Sequence, residues 1–427
     1  MLSADFPRYA LTELTIYGDD YEQWVEFLAE LPCIEKLRIQ SHDYAEYEAN
    51  EDDCKISCNS LEKIHNCLPR LRYLCIDPYI SFGNMPESIV PCDTVRELAL
   101  TLVRGRPWGE YLAQKYTHLE KLYIGDLLSH DEDSLEQLCA FATGCTHLRE
   151  FDSDEIRTYR PFLDALSNVG APIRELRFDL WDQQWVVDKL DKFKQTCTSV
   201  RLRLQKETLG WPVFGAFAPY LSLTHLTVDI HYGEMELDKI LSQIEQIRHL
   251  SVTAQDFCVG RDRKRDLRHN LDTLYLQGCI NDQVYVYLSE CCPRLSRLQC
   301  TYADAYRESC VIYCPNTSLK KLSITLSGDY VFKLAKIEDR NGSKNNNNES
   351  PRVSQNAKSS TRWLLHGTYY NSFESLEASG LSKMSWRKAQ ATENKRIFPM
   401  NIASIHYRHI ASMELKSATA SRFNKVQ

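Results

Sequence analysis

LTHLTV (223–228), IRHLSV (247–252), LDTLYL (271–276), LSRLQC (295–300) and LKKLSI (319–324) are versions of one phrase, each 24 residues after the last. The central leucines are Leu226, Leu250, Leu274, Leu298 and Leu322, and Leu202, 24 residues ahead of Leu226, extends the register back by one repeat. A fixed period of this length is the signature of a stacked repeat. It sets the architecture before propensity is considered, and it points to binding rather than chemistry.

Upstream phrases keep the pattern with more slack. They are LTELTI around Leu14, IEKLRI around Leu37, LRYLCI around Leu74, VRELAL around Leu98, LEKLYI around Leu122, LREFDS around Phe151 and IRELRF around Leu176. A degenerate phrase, FESLEA, surrounds Leu376. Short insertions account for the uneven gaps, because surface loops lengthen at low entropic cost.

The last two apolar residues of each phrase lie two apart, which is the strand period. Leu274 and Leu276 face one side, and Thr273, Tyr275 and Gln277 the other. The return segments carry helical spacing, as at Trp24, Phe27, Leu28 and Leu31, or Val284, Tyr287 and Leu288. Strand–crossover–strand units of this kind are right-handed and make neighbouring strands parallel. Several phrases are preceded by a small turn residue or a helix-ending proline: Pro32-Cys33, Cys67, Pro69, Cys145, Cys197, Cys292-Pro293 and Cys314-Pro315.

The segments CCPRLSRLQC (291–300), LPRLRYLCI (68–76) and CPNTSLKKLSI (314–324) resemble the cysteine-containing class of leucine-rich repeats, typical of F-box substrate receptors of SCF-type ubiquitin ligases. The resemblance covers roughly residues 8–326, and 360–420 more weakly. It implies an α/β fold: a right-handed leucine-rich repeat solenoid, a horseshoe with a parallel sheet on the concave face and helices on the convex face. It also implies a folded protein partner, and a Skp-type adaptor if an F-box lies upstream. The first phrase opens at Leu11, which leaves no room ahead of it for that helical module, so the chain is read as a fragment or as a relative lacking the box.

The expected organisation is a solenoid over 1–327, a disordered Asn/Ser-rich insertion over 328–360, and degenerate closing repeats with a basic tail over 361–427. Hydrophobic content of 43% and charged content of 26% are ordinary for a globular chain. No apolar run approaches the ~20 residues needed to span a bilayer, and the N-terminus lacks the features of a signal peptide. Sixteen cysteines, most of them at repeat-equivalent positions, are read as reduced and buried, in a cytoplasmic or nuclear protein.

Net charge is −7 and unevenly spread: residues 1–60 hold fourteen acidic and four basic side chains, residues 381–427 two and nine. Residues 41–60 are expected to form an exposed acidic loop, and the run Arg261, Arg263, Lys264, Arg265, Arg268 a solvated basic one.

Outward strand positions supply the candidate binding residues. Glu150, Asp152, Asp154, Glu175 and Asp179 form an acidic patch beside a basic edge of Arg177, Arg201 and Arg203, with Tyr123, Tyr275 and Arg297 as further anchors. Strands ~4.8 Å apart put these charges within a Debye length of ~8 Å, and arginine and tyrosine are frequent interface anchors. The alternative for the same face is opposite charges paired for solubility.

His118, His147, His225 and His249 recur near the phrases but lack the third ligand that zinc requires. Cys54/Cys58 and Cys310/Cys314 lack a matching second pair. Phosphate-loop, dinucleotide, nucleophile-elbow and zinc-protease motifs are missing, so no cofactor, metal or catalytic residue is expected. The sequence thus points to a substrate receptor or adaptor. It leaves open a ligase-independent scaffold or inhibitor, and an RNA-binding solenoid using Arg177, Arg201, Arg203, Arg297 and the basic tail.

Overall fold

The computed structural model describes residues 11–17, 21–40, 56–81, 85–104, 108–125, 132–153, 160–180, 191–206, 214–260, 267–302, 309–327, 330–336, 361–366, 374–375 and 401–418. The chain forms two compact units, Met1–Leu202 with Tyr220–Ser222, and Arg203–Pro219 with Leu223–Gln427.

In the first unit the repeat phrases become β1 (Glu13–Tyr17), β2 (Lys36–Gln40), β3 (Tyr73–Ser81), β4 (Glu97–Arg104), β5 (Lys121–Ile124), β6 (Glu150–Ser153) and β7 (Glu175–Leu180), with β8 (Ser199–Lys206) beginning here. β1 to β7 pair in parallel in chain order, with Leu14, Leu37, Leu74, Leu98, Leu122, Phe151 and Leu176 in register. Period-two alternation puts Leu37, Leu74, Leu98, Leu122, Phe151 and Leu176 inside, while Lys36, Arg38, Lys121 and Glu175 stay exposed. Burying such a side chain stabilises the fold by roughly 1.5–3 kcal/mol.

A backbone clamp repeats at the head of each strand. The carbonyl of the residue after the first aliphatic position accepts two consecutive amides of the next repeat. Thr12 O accepts from Glu35 N and Lys36 N (2.8 and 3.0 Å), and Arg149 O from Arg174 N and Glu175 N (2.7 and 3.0 Å). Glu35, Arg72, Arg96 and Glu120 act alike.

The clamp corrects the register at β8. Arg174 O accepts from Thr198 N and Ser199 N (2.8 and 3.0 Å), which makes Val200 the equivalent of Leu176 and puts Leu202 two residues further on. Cys197, fully buried, fills the first aliphatic position. A slip of two preserves the inward face, so Val200, Leu202 and Leu204 are all buried.

The return segments of this unit form α1 (Tyr21–Ala29), α2 (Cys58–Cys67), α3 (Trp108–Lys115), α4 (Glu132–Ala142) and α5 (Arg160–Asn168). α1 packs on α2, α3 on α4 and α4 on α5. Glycine permits the closest of these approaches: the Gly109 amide donates to Gln137 Oε1 at 3.1 Å, and a Cβ on Gly109 would lie 1.8 Å from the Gln137 carbonyl oxygen.

In the second unit β9 (His225–Tyr232), β11 (His249–Cys258), β12 (Thr273–Ile280), β13 (Arg297–Thr301) and β14 (Ser309–Ser327) form the parallel ladder, with Leu226, Leu250, Leu274, Leu298 and Leu322 in register. A short β10 (Glu234–Glu236) pairs with the end of β11. The clamp recurs at Thr224, Arg248, Asp272 and Ser296. Among the described residues α6 (Leu237–Gln243) and α7 (Asp282–Cys291) lie between these strands; Asn281 caps α7, accepting from the Gln283 amide at 2.9 Å. The register of β11 and β12 shifts between Thr253 and Asp256, where Gly278 has φ +149° and a Cβ would lie 2.0 Å from the Ala254 carbonyl oxygen.

The ladder ends in strands rather than repeats. β18 (Asn401–Ala418) pairs in parallel along both halves of β14, and its first half also pairs with β15 (Tyr330–Lys336). β16 (Thr361–His366) joins β15 antiparallel, and β17 (Glu374–Ser375) joins β16. Within the stretch 328–360 expected to be disordered, 330–336 is strand, where five of seven residues are apolar, and the remaining residues lie outside the described ones. Asn345–Asn348, the acidic cluster at 46–53, and Arg261, Arg263, Lys264 and Arg265 lie outside the described residues.

Cys58, Cys145, Cys197, Cys291, Cys292, Cys300 and Cys314 are buried, several in the expected helix-to-strand turns. Burial pushes Cys58 and Cys197 up to about 12. Such thiols pack as small apolar groups. No helix among the described residues is long and apolar enough to cross a membrane.

Each unit is thus an α/β leucine-rich repeat stack, with a parallel sheet on one face and helices covering the other. Leu274, fully buried between β11 and β13, is a direct probe of it. Leu274→Ala should lower stability by ~2–5 kcal/mol in thermal or denaturant unfolding, through loss of apolar contact and the cavity left behind.

Candidate functional site

The helix-free face of the first unit's sheet carries side chains in rows that run across the strands. The first row is Glu13, Lys36, Tyr73, Glu97, Lys121, Glu150 and Glu175. The second row is Thr15, Arg38, Cys75, Ala99, Tyr123 and Asp152, continued on β7 by Arg177 and, through the clamp at Arg174, on β8 by Arg201.

These rows are largely charge-paired. Lys36 meets Glu13 at 2.5 Å, and Lys121 lies 3.0 Å from Glu150 and 3.8 Å from Glu97. A hydrogen bond from each lysine to its glutamate holds the ammonium above its usual range. Arg38 lies over the Tyr73 ring, 5.3 Å from its centroid. Arg177 donates to Asp152 Oδ2 at 2.8 Å; the other carboxylate oxygen, Oδ1, is enclosed and has no hydrogen-bond partner among the described residues. Glu175 stands beside Glu150. Desolvation first, and the Glu150 charge second, push its carboxyl up against the opposing pull of Lys121.

Tyr123, Glu150, Asp152, Glu175, Arg177 and Arg201 therefore share one face of the first unit. Asp179 belongs to β7, and Asp154 lies outside the described residues. Arg203, Tyr275 and Arg297 belong to the second unit, where Arg297 is exposed and Tyr275 donates to Gln277 Oε1 at 2.7 Å.

A further row lies at the strand heads, in the second position of each phrase: Glu35, Arg72, Arg96, Glu120, Arg149 and Arg174. Glu120 is shared between Arg96 (4.0 Å) and Arg149 (3.6 Å). Its signal is plain in LRYLCI, VRELAL, LREFDS and IRELRF, where arginine follows the first aliphatic residue. It falls outside the third, fifth and seventh positions, whose side chains alternate outward along the strand. Each head residue except Arg72 is followed by a residue of opposite charge, as in Glu35-Lys36, Arg96-Glu97, Glu120-Lys121, Arg149-Glu150 and Arg174-Glu175.

On the helical side, Lys115 of α3 donates to Glu62 of α2 at 2.6 Å and to the Val90 carbonyl at 2.8 Å, and the Tyr111 hydroxyl donates to Glu62 at 2.9 Å. The Lys115 side chain is 2% exposed. Beside it His65 bonds the Tyr116 hydroxyl (2.9 Å) and lies 3.4 Å from Cys92 Sγ. Burial, aided by the Lys115 charge, brings His65 down to about 3, so its imidazole is neutral and a poor base for the Cys92 thiol. Glu62 and Lys115 stand 53 residues apart, and no local pattern announces the pair.

The histidines stack in twos, His118 on His147 at 5.2 Å between ring centroids and His225 on His249 at 4.2 Å. Parallel rings do not converge on a shared ion, and no group of three metal-ligating side chains occurs among the described residues.

No protein-family model and no curated protein matches this chain. Among solved structures, the crystal structure of a TLR13–ssRNA13 complex is similar, with a TM-score of 0.31 and 12% identity over 74% of this chain and 57% of that one. The chain thus spans little more than half the length of that structure.

Lys115→Ala should cost about 3–5 kcal/mol in denaturant unfolding, because it leaves Glu62 without its cation. Glu175→Gln should raise the melting temperature at neutral pH. The wild-type carboxyl is raised in the folded state, so its ionisation opposes folding as pH climbs, and the gain should vanish below about pH 4.

Proposed function

We propose that the chain is a protein-recognition solenoid, and that the helix-free face of its first unit binds a folded partner through Tyr123, Glu150, Asp152, Glu175, Arg177 and Arg201. The observation that carries this reading is the second row at β6 and β7. There a charged pair is held at 2.8 Å while the enclosed Asp152 Oδ1 is left with no donor among the described residues. The pair holds charged groups in fixed positions on the exposed sheet, beside Glu150 and Glu175, where arginine and its neighbours can anchor a partner. The row, continuous across strands, suits a protein surface better than a small molecule, which needs an enclosing pocket.

The finer reading is a substrate receptor or adaptor of the F-box kind in SCF-type ubiquitin ligation, in the cytoplasm or nucleus and without catalysis of its own. Cysteine-bearing phrases with buried thiols at the turns support it. A scaffold or inhibitor acting outside ubiquitination would use the same face. An RNA-binding role is disfavoured there, because Asp152 and the glutamates offset the arginines.

Affinity purification of the full chain, with mass spectrometry, tests both levels. A Skp-type adaptor should co-purify, and its absence would remove the ligase role. Arg177→Glu with Arg201→Glu should leave folding nearly intact and deplete the bound partner about tenfold or more. An unchanged set of partners would remove this face as the binding surface.

A further inference from the structure

The sheet face of the second unit has a different charge pattern from the first. Its first row reads His225, His249, Thr273, Arg297 and Lys321, in register on five consecutive ladder strands, with no carboxylate among them. His225, Arg297 and Lys321 are exposed, and His249 and Thr273 half-buried. The next row, Thr227, Ser251, Tyr275, Gln299 and Ser323, offers hydroxyls and an amide. Further along, the face closes at Thr301 and Ser323, both buried, so the first row is the accessible track there.

Three carboxylates lie near on the described strands, one of them Glu414 of β18, in register with Ser323 of the next row. Asp272, at the head of β12, is engaged by the Ser296 hydroxyl at 2.7 Å, and Asp229 stands two rows away on β9. Arg248 at the head of β11 adds a further exposed cation.

We infer that this row is a docking track for an acidic, extended peptide segment, a partner class that rests on the reading of the sheet face as a recognition surface. Four strand steps of ~4.8 Å give a track of roughly 19 Å, the length of about six extended residues. Carboxylates along such a segment meet Arg297 and Lys321 at one end and the imidazole pair at the other. The His225 and His249 rings stack within 10° of parallel, with the Thr224 hydroxyl bonded to His225 Nδ1 at 2.9 Å. A single proton on the pair makes that end cationic. Desolvation, then the neighbouring His249, disfavours the charged form of His225 in the free protein, and an acidic segment across the pair would restore it. Binding therefore strengthens as pH falls.

The test is fluorescence anisotropy of a labelled hexaglutamate peptide with the full chain at low ionic strength, with hexalysine and Gly-Ser hexapeptides as controls. Hexaglutamate alone should bind, and its affinity should rise about tenfold from about pH 8 to about pH 5.5. Arg297→Glu with Lys321→Glu should abolish binding, and His225→Gln with His249→Gln should flatten the pH dependence. Arg72→Glu with Arg149→Glu, on the first unit, should change neither.

Absence of binding at the lower pH, binding indifferent to the Arg297/Lys321 reversal, or equal loss in the first-unit variant would each overturn the inference. Circular dichroism of each variant separates lost binding from lost fold. The Arg177/Arg201 variant separates this inference from the broader one: if it still loses its partner while hexaglutamate fails to bind, only the acidic track falls.

Discussion

One backbone carbonyl per repeat, accepting two consecutive amides from the next, is the contact on which the rest of the structure depends. It recurs from Thr12 to Arg174 in the first unit and from Thr224 to Ser296 in the second. The bond satisfies donors that would otherwise be lost at the strand head, where an unpaired buried amide is costly. It also fixes where each strand begins against its neighbour. Because side chains alternate with period two, a slip of one residue would turn every core leucine outward. Leu37, Leu74 and Leu98 thus bury together because Glu35 O and Arg72 O have already set the strands in step.

The same clamp forces outward side chains into rows one strand spacing apart. Like charges in a row repel, so unlike neighbours are favoured along it and between adjacent rows. The first unit meets this constraint with Arg96-Glu97, Glu120-Lys121, Arg149-Glu150 and Arg174-Glu175, two opposed residues at each strand head. Exposed pairs of this kind contribute little stability singly. Their effect is to hold polar groups in fixed positions on a surface free of helices. Like charges still adjoin in places, Arg72 beside Arg96 and Arg149 beside Arg174 at the strand heads, and Glu150 beside Glu175, where Lys121 reaches Glu150 and Glu175 keeps a raised carboxyl.

Most of the ladder is legible in the sequence because the repeat writes the same physics many times. The leucine register from Leu226 to Leu322 needs no knowledge of contacts. Leu202 shows the limit. Its phrase opens on Cys197 and carries Val200 at the central position, so the leucine period locks onto the next in-phase residue. Glu62–Lys115 and His65–Tyr116 were not legible at all, since buried polar pairs between helices have no period. The strand at 330–336 was not legible for a related reason. Tyr330–Lys336 precedes an Asn-rich stretch, and composition averaged over 328–360 hides a seven-residue strand whose partner, β18, lies more than sixty residues downstream.

The contrast between the two sheet faces bears on what a solenoid of this kind can recognise. Where rows are internally paired, as at Lys121–Glu150 and Arg177–Asp152, a partner must match both signs at ~4.8 Å intervals to gain anything. That requirement favours specificity over affinity. Where a row carries one sign and neutral hydroxyls, as from His225 to Lys321, the demand on the partner is only that it be anionic and extended. Long-range attraction then acts on a flexible segment before close contacts form, and salt should weaken it. The backbone clamp is indifferent to which side chain stands in each row. The repeat can therefore carry both kinds of surface on one chain at no cost to the core, since Leu250, Leu274 and Leu298 stay buried whatever faces outward beside them.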